Sequence, residues 1–158
     1  MQYYEGMRKI MEKTLPHFPT ENLLVIQNTN DPYSSYSEVK KNWMNIFSPV
    51  RGIREAIEKL KNFYSIWIVS DTDPIHFNFL LNEFPIIRES DRFYLSYSMG
   101  ALKNDPQFFY RLLENSGLSS AEFTLIDDKE ENCRSATQNG IASILFTDWK
   151  SALNNLIG

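Results

Sequence analysis

The chain has 158 residues, and its 42% hydrophobic and 23% charged residues are typical of one globular domain with a substantial core. A formal net charge of −4 argues against a nucleic-acid partner, because nucleic-acid binding needs a basic surface that displaces counterions. The single cysteine, Cys133, excludes an internal disulfide and a multi-cysteine zinc site, and no apolar run is long enough to span a membrane. We therefore expect a cytoplasmic protein without a membrane partner.

The first 48 residues are predicted to be mainly helical. A helix is expected over residues 2–14, ended by Pro16 and Pro19, and a second helix follows Ser37 as its N-cap and ends before Pro49. Between them, the apolar run at 23–26 (LLVI) is either a buried strand or a turn of helix, and both alternatives stay open at this point.

From residue 49 onward, helical and extended patterns alternate. Apolar residues at helical spacing predict a helix over 53–60, and later helices are predicted at 74–84, 105–117, 130–139 and 148–156. Short apolar runs predict strands at 66–69 (IWIV), 93–95 (FYL), 123–126 (FTLI) and 142–146 (ASILF). This alternation predicts an α/β fold, namely a Rossmann-like three-layer domain with a parallel sheet, over residues 49–158.

Polar residues follow these strands at the places where a parallel sheet binds ligands. Ser70 and Asp71 follow the first of these strands, a loop after the second leads to Lys103, and Asp127 and Asp128 follow the third. A hydroxyl group and an ammonium group suit a phosphoryl group, and adjacent carboxylates suit a hard cation such as Mg²⁺. The sequence therefore predicts that these side chains converge at one edge of the sheet.

This order of motifs resembles that of the haloacid dehalogenase (HAD) superfamily. The second motif of that family matches residues 66–70 (IWIVS), the third matches 100–106 (GALKNDP), and the fourth matches 125–132 (LIDDKEEN). The segment at 70–77 (SDTDPIHF) is similar to that of the subgroup with a helical cap, which includes small-molecule phosphatases and relatives of the N-terminal domain of epoxide hydrolases. Each motif alone is weak, but their order and the preceding elements make the resemblance specific.

The resemblance implies a role for each of these residues. Ser70, Asp71 and Lys103 would bind the phosphoryl group, and Lys103 would also be catalytic by neutralising the charge on the nucleophile and substrate. Asp128 would be a Mg²⁺ ligand, with Asp127 beside it and Asn132 in support.

The first motif of the family, Asp-x-Asp after the first strand, has no match before Ser70. In that family its first Asp attacks phosphorus and its second is the general acid/base. The sequence at 71–73 (DTD) follows a strand, but reading it as the first motif leaves no Ser- or Thr-ended strand between it and Lys103. We therefore reject that assignment.

Two explanations of the missing motif remain. In the first, which we favour because residues 43–47 (WMNIF) resemble the end of the family's cap, residues 1–48 are a helical cap remnant and the nucleophile strand precedes this chain. In the second, residues 23–27 contain the first strand, and Gln27 and Thr29 stand where the two Asp would be. Both explanations remove the nucleophile.

The function that the resemblance implies is that of a Mg²⁺-dependent phosphatase of small phosphorylated metabolites. With the nucleophilic Asp absent, we expect this chain to be truncated or inactive as given, with weak Mg²⁺ binding and an oligomeric state left open. The alternative is a non-catalytic module that binds phosphate or Mg²⁺ and has an interaction role. Outside these motifs, Cys133 is expected to be a small core residue, His76 a helix-face residue, and Asp73 a cap.

Overall fold

The computed structural model describes residues 49–158, in which helices and parallel strands alternate. The helices are α1 (Ile53–Leu60), α2 (Pro74–Glu83), α3 (Ser96–Met99), α4 (Pro106–Ser116), α5 (Glu130–Gln138) and α6 (Trp149–Ile157). The strands are β1 (Trp67–Ser70), β2 (Arg92–Leu95), β3 (Thr124–Asp127) and β4 (Ala142–Leu145). The predictions for residues 1–48, including the two alternatives for 23–27, lie outside the described residues.

Local sequence sets the starts of three helices. Asp73 caps α2 by accepting the backbone N–H groups of Ile75 and His76, and Pro74 occupies the first helical position. Asp105 caps α4 in the same way ahead of a proline, and Asp148 caps α6 through the N–H of Ser151. These caps place each helix start where the polar and proline pattern predicts it.

The strands form two parallel pairs. β1 pairs with β2 from Trp67 opposite Arg92 to Ser70 opposite Leu95. β3 pairs with β4 from Thr124 opposite Ala142 to Asp127 opposite Leu145. The predicted α/β class with parallel strands is confirmed, and within residues 49–158 the ladders comprise these two pairs. Ser70 and Asp127 are each the last residue of their strand, so strand pairing fixes their backbone positions.

One hydrophobic core connects the two strand pairs. It is built around α4, whose Phe108 and Phe109 are fully buried, and it includes Tyr94 of β2 and Leu125 of β3. The ring of Trp67 in β1 stacks on Tyr94 at a centroid distance of 5.5 Å and meets Phe123, next to β3, at 5.1 Å. β1 and β3 therefore contribute to the same core although they are not hydrogen-bonded to each other.

Short helical segments are the main feature that the sequence pattern did not predict. α3 follows β2 directly and ends at Gly100, whose φ of 65° lies in the left-handed region that favours glycine. Two 3₁₀ turns, Pro85–Glu89 and Ser120–Glu122, precede β2 and β3. Segments of three to five residues are too short to show a helical period, so periodicity does not detect them. Within residues 49–158, no helix is both long and apolar enough to cross a membrane.

Candidate phosphate- and metal-binding site

Lys103 and Asp127 form an ion pair at the carboxyl edge of the strands. The Nζ of Lys103 lies 2.5 Å from Oδ2 of Asp127, and both side chains are largely shielded from solvent, with exposures of 14% and 3%. Such a charge-assisted hydrogen bond is strong because little water competes for either group. The ammonium group is therefore held at a defined place rather than being solvated at the surface.

Asp71 fixes the loop that carries Lys103. Its Oδ1 accepts the backbone N–H of Lys103 at 2.8 Å, which connects the residue after β1 to the loop before α4. Burial raises the pKa of Asp71 above its usual value, although this hydrogen bond and the charge of Lys103 partly offset that rise. Through these contacts the end of β1, the Lys103 loop and the end of β3 meet at one edge.

Asp127 accepts three hydrogen bonds that orient its carboxylate. Oδ1 takes the backbone N–H of Lys129 and the amide of Asn132, each at 2.9 Å, and Oδ2 takes Lys103. Burial by itself raises the pKa of Asp127, but Lys103 and the other donors outweigh it and hold the pKa below its usual value. The group is consequently an oriented carboxylate with its negative charge retained.

The carboxylate and amide oxygens at this edge are the type of ligand atom that a hard cation binds. The amide Oδ1 of Asn132 is buried beside Asp127 and has no hydrogen-bond partner within residues 49–158. Mg²⁺ takes oxygen ligands, usually one or two carboxylates with waters and substrate phosphate completing its shell. Across the part of the chain that the structure describes, no group of three or more His, Cys, Asp or Glu side chains could hold a metal. The oxygen donors therefore match Mg²⁺ in kind, and residues 49–158 contain no dedicated acidic cage.

Ser70 and Asp128 occupy different settings at the same edge. Ser70 is the half-buried last residue of β1, directly before Asp71. Asp128 follows Asp127 and is exposed, and its side chain makes no hydrogen bond to another described residue. Contacts thus bring Lys103, Asp71, Asp127 and Asn132 together, whereas Ser70 and Asp128 are placed at the edge by their neighbours in sequence. The roles assigned to all six residues stay predictions.

Ser96 is a polar residue at this edge that the sequence reasoning missed. It is buried, accepts the backbone N–H of Thr72 and donates to the carbonyl of Thr72, both at 3.0 Å. It therefore clamps the loop after β1 against the end of β2. Ser96 directly follows β2, so examining the first residue after each strand would have found it.

His76 and Cys133 are two further buried residues near this edge. His76 is buried, and its Nδ1 lies 2.5 Å from Oδ2 of Asp73, so the capping carboxylate also binds the ring. Cys133 is buried, and burial raises the pKa of its thiol, which disfavours the thiolate. The structure thus agrees with the interpretations of Asp73 as a cap and of Cys133 as a core residue.

The fold and the ordered motifs define the class of protein. The family model for haloacid dehalogenase-like hydrolases matches residues 4–146, and the chain belongs to this family.

Among its relatives is the D-ribitol-5-phosphate phosphatase of Bacteroides thetaiotaomicron, which is 25% identical over 131 residues, covering 76% of this chain and 63% of that protein. A HAD family enzyme from Bacteroides thetaiotaomicron, solved in complex with magnesium and inorganic phosphate, is structurally similar. It has 26% identity and a TM-score of 0.65, with 73% of this chain and 64% of that chain covered.

A hydrolase from Streptococcus pneumoniae TIGR4, with 16% identity and a TM-score of 0.63, shares the fold over 92% of this chain and 71% of its own. The chain spans less than two thirds of the length of both Bacteroides proteins.

Proposed function

We propose that the carboxyl edge of the strands binds the phosphoryl group of a small phosphorylated metabolite together with Mg²⁺, as in a HAD-family phosphatase. The observation that carries this proposal is the shielded ion pair of Lys103 with Asp127, because it holds one ammonium group beside oriented oxygen ligands. The proposal is also supported by relatives that include a sugar-alcohol phosphate phosphatase and an enzyme solved with magnesium and phosphate.

Each residue at the edge has a distinct part in this proposal. Lys103 neutralises charge on the phosphoryl oxygens, and the hydroxyl of Ser70 donates a hydrogen bond to them. Asp71 contributes to phosphate binding by fixing the backbone of Lys103. Asp128, Asp127 and Asn132 would hold Mg²⁺, which would supply charge stabilisation at the phosphoryl group.

The chain as given is proposed not to turn over phosphomonoesters through an aspartyl-phosphate. No Asp-x-Asp precedes Ser70, and neither Lys103 nor Ser70 replaces an attacking carboxylate. Electrostatic stabilisation by Lys103 and Ser70 alone leaves only residual acceleration, so any remaining hydrolysis is expected to be slow and to proceed without an aspartyl-phosphate. The alternative, a non-catalytic phosphate- or Mg²⁺-binding module, shares the binding step and differs in having no hydrolytic role in the complete protein.

Binding and turnover are tested separately on the 158-residue chain. Inorganic phosphate with Mg²⁺ is titrated and followed by phosphorus NMR, using Lys103→Ala and Asp128→Ala beside the control Lys129→Ala, whose exposed side chain lies next to the site. We expect phosphate binding that Lys103→Ala abolishes and Lys129→Ala leaves nearly unchanged. Absence of binding in the unmodified chain would refute the proposed site.

Turnover is measured with p-nitrophenyl phosphate and Mg²⁺. We expect hydrolysis at or near the background rate in the unmodified chain. Robust turnover that both Lys103→Ala and Asp128→Ala abolish would show that a nucleophile is present in the chain and would contradict the inactivity proposal while leaving the site intact.

A further inference from the structure

Lys103 lies on a short loop whose two ends are both attached to α4. The loop runs from Gly100, directly after α3, to Asp105, which caps α4 and is continuous with it. The other end is held by Arg111 of α4, whose Nη1 donates a hydrogen bond to the backbone carbonyl of Met99, the last residue of α3. Arg111 therefore closes the loop into a ring that contains Lys103.

The carbonyl of Met99 needs a donor from outside its own helix. A carbonyl at the end of a helix has no N–H group of the next turn to bind, so its partner comes from elsewhere. Met99 is buried and Arg111 is half-buried, so little water competes for the contact. A hydrogen bond from a charged guanidinium is also stronger than one between neutral groups. The contact is therefore suited to holding the start of the loop at one place.

Gly100 leaves the space that the guanidinium occupies. A Cβ atom at this position would lie 2.9 Å from Nη1 of Arg111, which is closer than Cβ atoms approach other heavy atoms in proteins. The φ of Gly100 is 65°, so a side chain would also be strained there. Gly117, at the end of α4, has a similar φ of 69°, but a Cβ atom there would meet no heavy atom of residues 49–158 within 4 Å. The two glycines share a backbone requirement, and Gly100 is in addition needed for the approach of Arg111.

Both contacts of Lys103 at the site depend on where this loop lies. Its backbone N–H donates to Oδ1 of Asp71 at 2.8 Å, and its Nζ lies 2.5 Å from Oδ2 of Asp127. Asp127 is fixed by strand pairing, whereas Lys103 lies outside the strands. A loop held at one end samples more conformations than a closed loop, and ordering it costs conformational entropy. The contact of Arg111 precedes Lys103 by four residues, so it acts on the ammonium through the backbone.

We infer that Arg111 is a positioning residue for Lys103. By holding the carbonyl of Met99 in the space beside Gly100, it keeps the loop in the conformation in which the ammonium meets Asp127. The consequence for phosphate binding rests on the proposed function, in which the same ammonium contacts the phosphoryl group. The ion pair itself does not rest on that function, so it can be measured without phosphate.

The first readout is the NMR signal of the Lys103 ammonium in the full 158-residue chain, labelled with nitrogen-15 lysine and free of phosphate. A shielded ammonium in an ion pair exchanges its protons slowly enough to be observed, and Lys103→Ala identifies the signal by its loss. We expect Arg111→Met and Gly100→Ala each to broaden or abolish this signal. Because Gly100→Ala retains the arginine, its effect does not arise from a lost charge. An unchanged signal in either variant would overturn the inference.

Two matched variants control for charge and for backbone strain. Arg88→Met removes another guanidinium that binds a backbone carbonyl, that of Leu81 at 2.7 Å, but Arg88 precedes β2 and so lies towards the opposite end of the strands from the site. Gly117→Ala imposes left-handed strain without a contact to Arg111. We expect both variants to retain the ammonium signal. Its loss in either control would show that general destabilisation is sufficient and would refute a positioning role.

The double variant tests whether Gly100 and Arg111 act through one contact. A Cβ atom that acts by displacing the guanidinium has little further effect once the guanidinium is absent. In phosphate titrations followed by phosphorus NMR, we expect about three- to tenfold weaker binding for Arg111→Met and for Gly100→Ala, and an affinity for the double variant close to that of the weaker single variant. A double effect equal to the product of the single effects would contradict the inference. If the unmodified chain binds no phosphate, the proposed function fails, and the ammonium signal still decides the role of Arg111.

Discussion

The ion pair of Lys103 with Asp127 makes a measurable prediction about stability. Lys103→Met keeps most of the aliphatic length but removes the ammonium, and Asp127 then remains buried without its charged partner. Removing one partner of a buried ion pair costs about 3–5 kcal/mol of unfolding free energy. Asp127 keeps two hydrogen-bond donors, the N–H of Lys129 and the amide of Asn132. We therefore expect a loss of unfolding free energy of about 3 kcal/mol, at the lower end of this range.

A second substitution distinguishes a charge effect from lost packing. In Lys103→Met with Asp127→Asn, the buried negative charge is gone, and the new amide oxygen still accepts from Lys129 and Asn132. Only the new amide NH₂ group lacks a hydrogen-bond partner, and burying this unsatisfied donor costs about 1–2 kcal/mol of unfolding free energy. We therefore expect the double variant to be more stable than Lys103→Met alone, which is opposite to the additive behaviour of independent sites.

Urea unfolding at neutral pH measures both variants, with the emission of Trp67 and Trp149 as a probe of the described core. Lys129→Met is the matched control, because the side chain of Lys129 is exposed and only its backbone contacts Asp127; we expect a change below about 0.5 kcal/mol. A loss below about 1 kcal/mol for Lys103→Met, or a double variant less stable than that single variant, would refute the argument.

Three further predictions address a cap, the metal and the core. Asp73→Ala should lower the unfolding free energy by about 1 kcal/mol through loss of the α2 cap, whereas Asp73→Asn, which still caps, should cost less. Burial raises the pKa of Asp73, but hydrogen bonds from His76 and Ile75 outweigh it and lower the pKa. The part of the stability difference between wild type and Asp73→Asn that comes from this charge should therefore be fully present above about pH 5 and be lost as pH falls through the folded pKa. A difference that grows on acidification would contradict this. Mg²⁺ should bind at about millimolar affinity in calorimetry, since residues 49–158 bring few carboxylates together at the site. Micromolar binding that is lost in Asp128→Ala would indicate an unrecognised ligand. Phe108→Ala should cost about 3–5 kcal/mol in urea unfolding, because Phe108 is fully buried, and a loss below about 1 kcal/mol would contradict its place in the core.

Much of the described fold could be predicted from local sequence. The caps at Asp73 and Asp105, the prolines that follow them, and the stop at Gly117 act within a few residues, so the pattern located α2 and α4 closely. Family membership was likewise accessible, because the motifs around Ser70, Lys103 and Asp127 appear in order along the chain. The predicted strand ends differ from the observed ends by about one residue, because pairing with a neighbouring strand decides where a ladder stops.

The relations between distant segments were decided only by tertiary structure. The sequence placed Asp127 and Asp128 side by side, and the family resemblance favoured Asp128 as the Mg²⁺ ligand. Only packing shows that Asp127 is the buried partner of Lys103 and that Asp128 is exposed. Ser96 can be picked out by its position directly after β2, but its hydrogen bonds to Thr72 cannot, because that contact depends on the pairing of β1 with β2. A strand pattern records which residues are apolar, and only the assembled structure shows which side chains from distant segments meet.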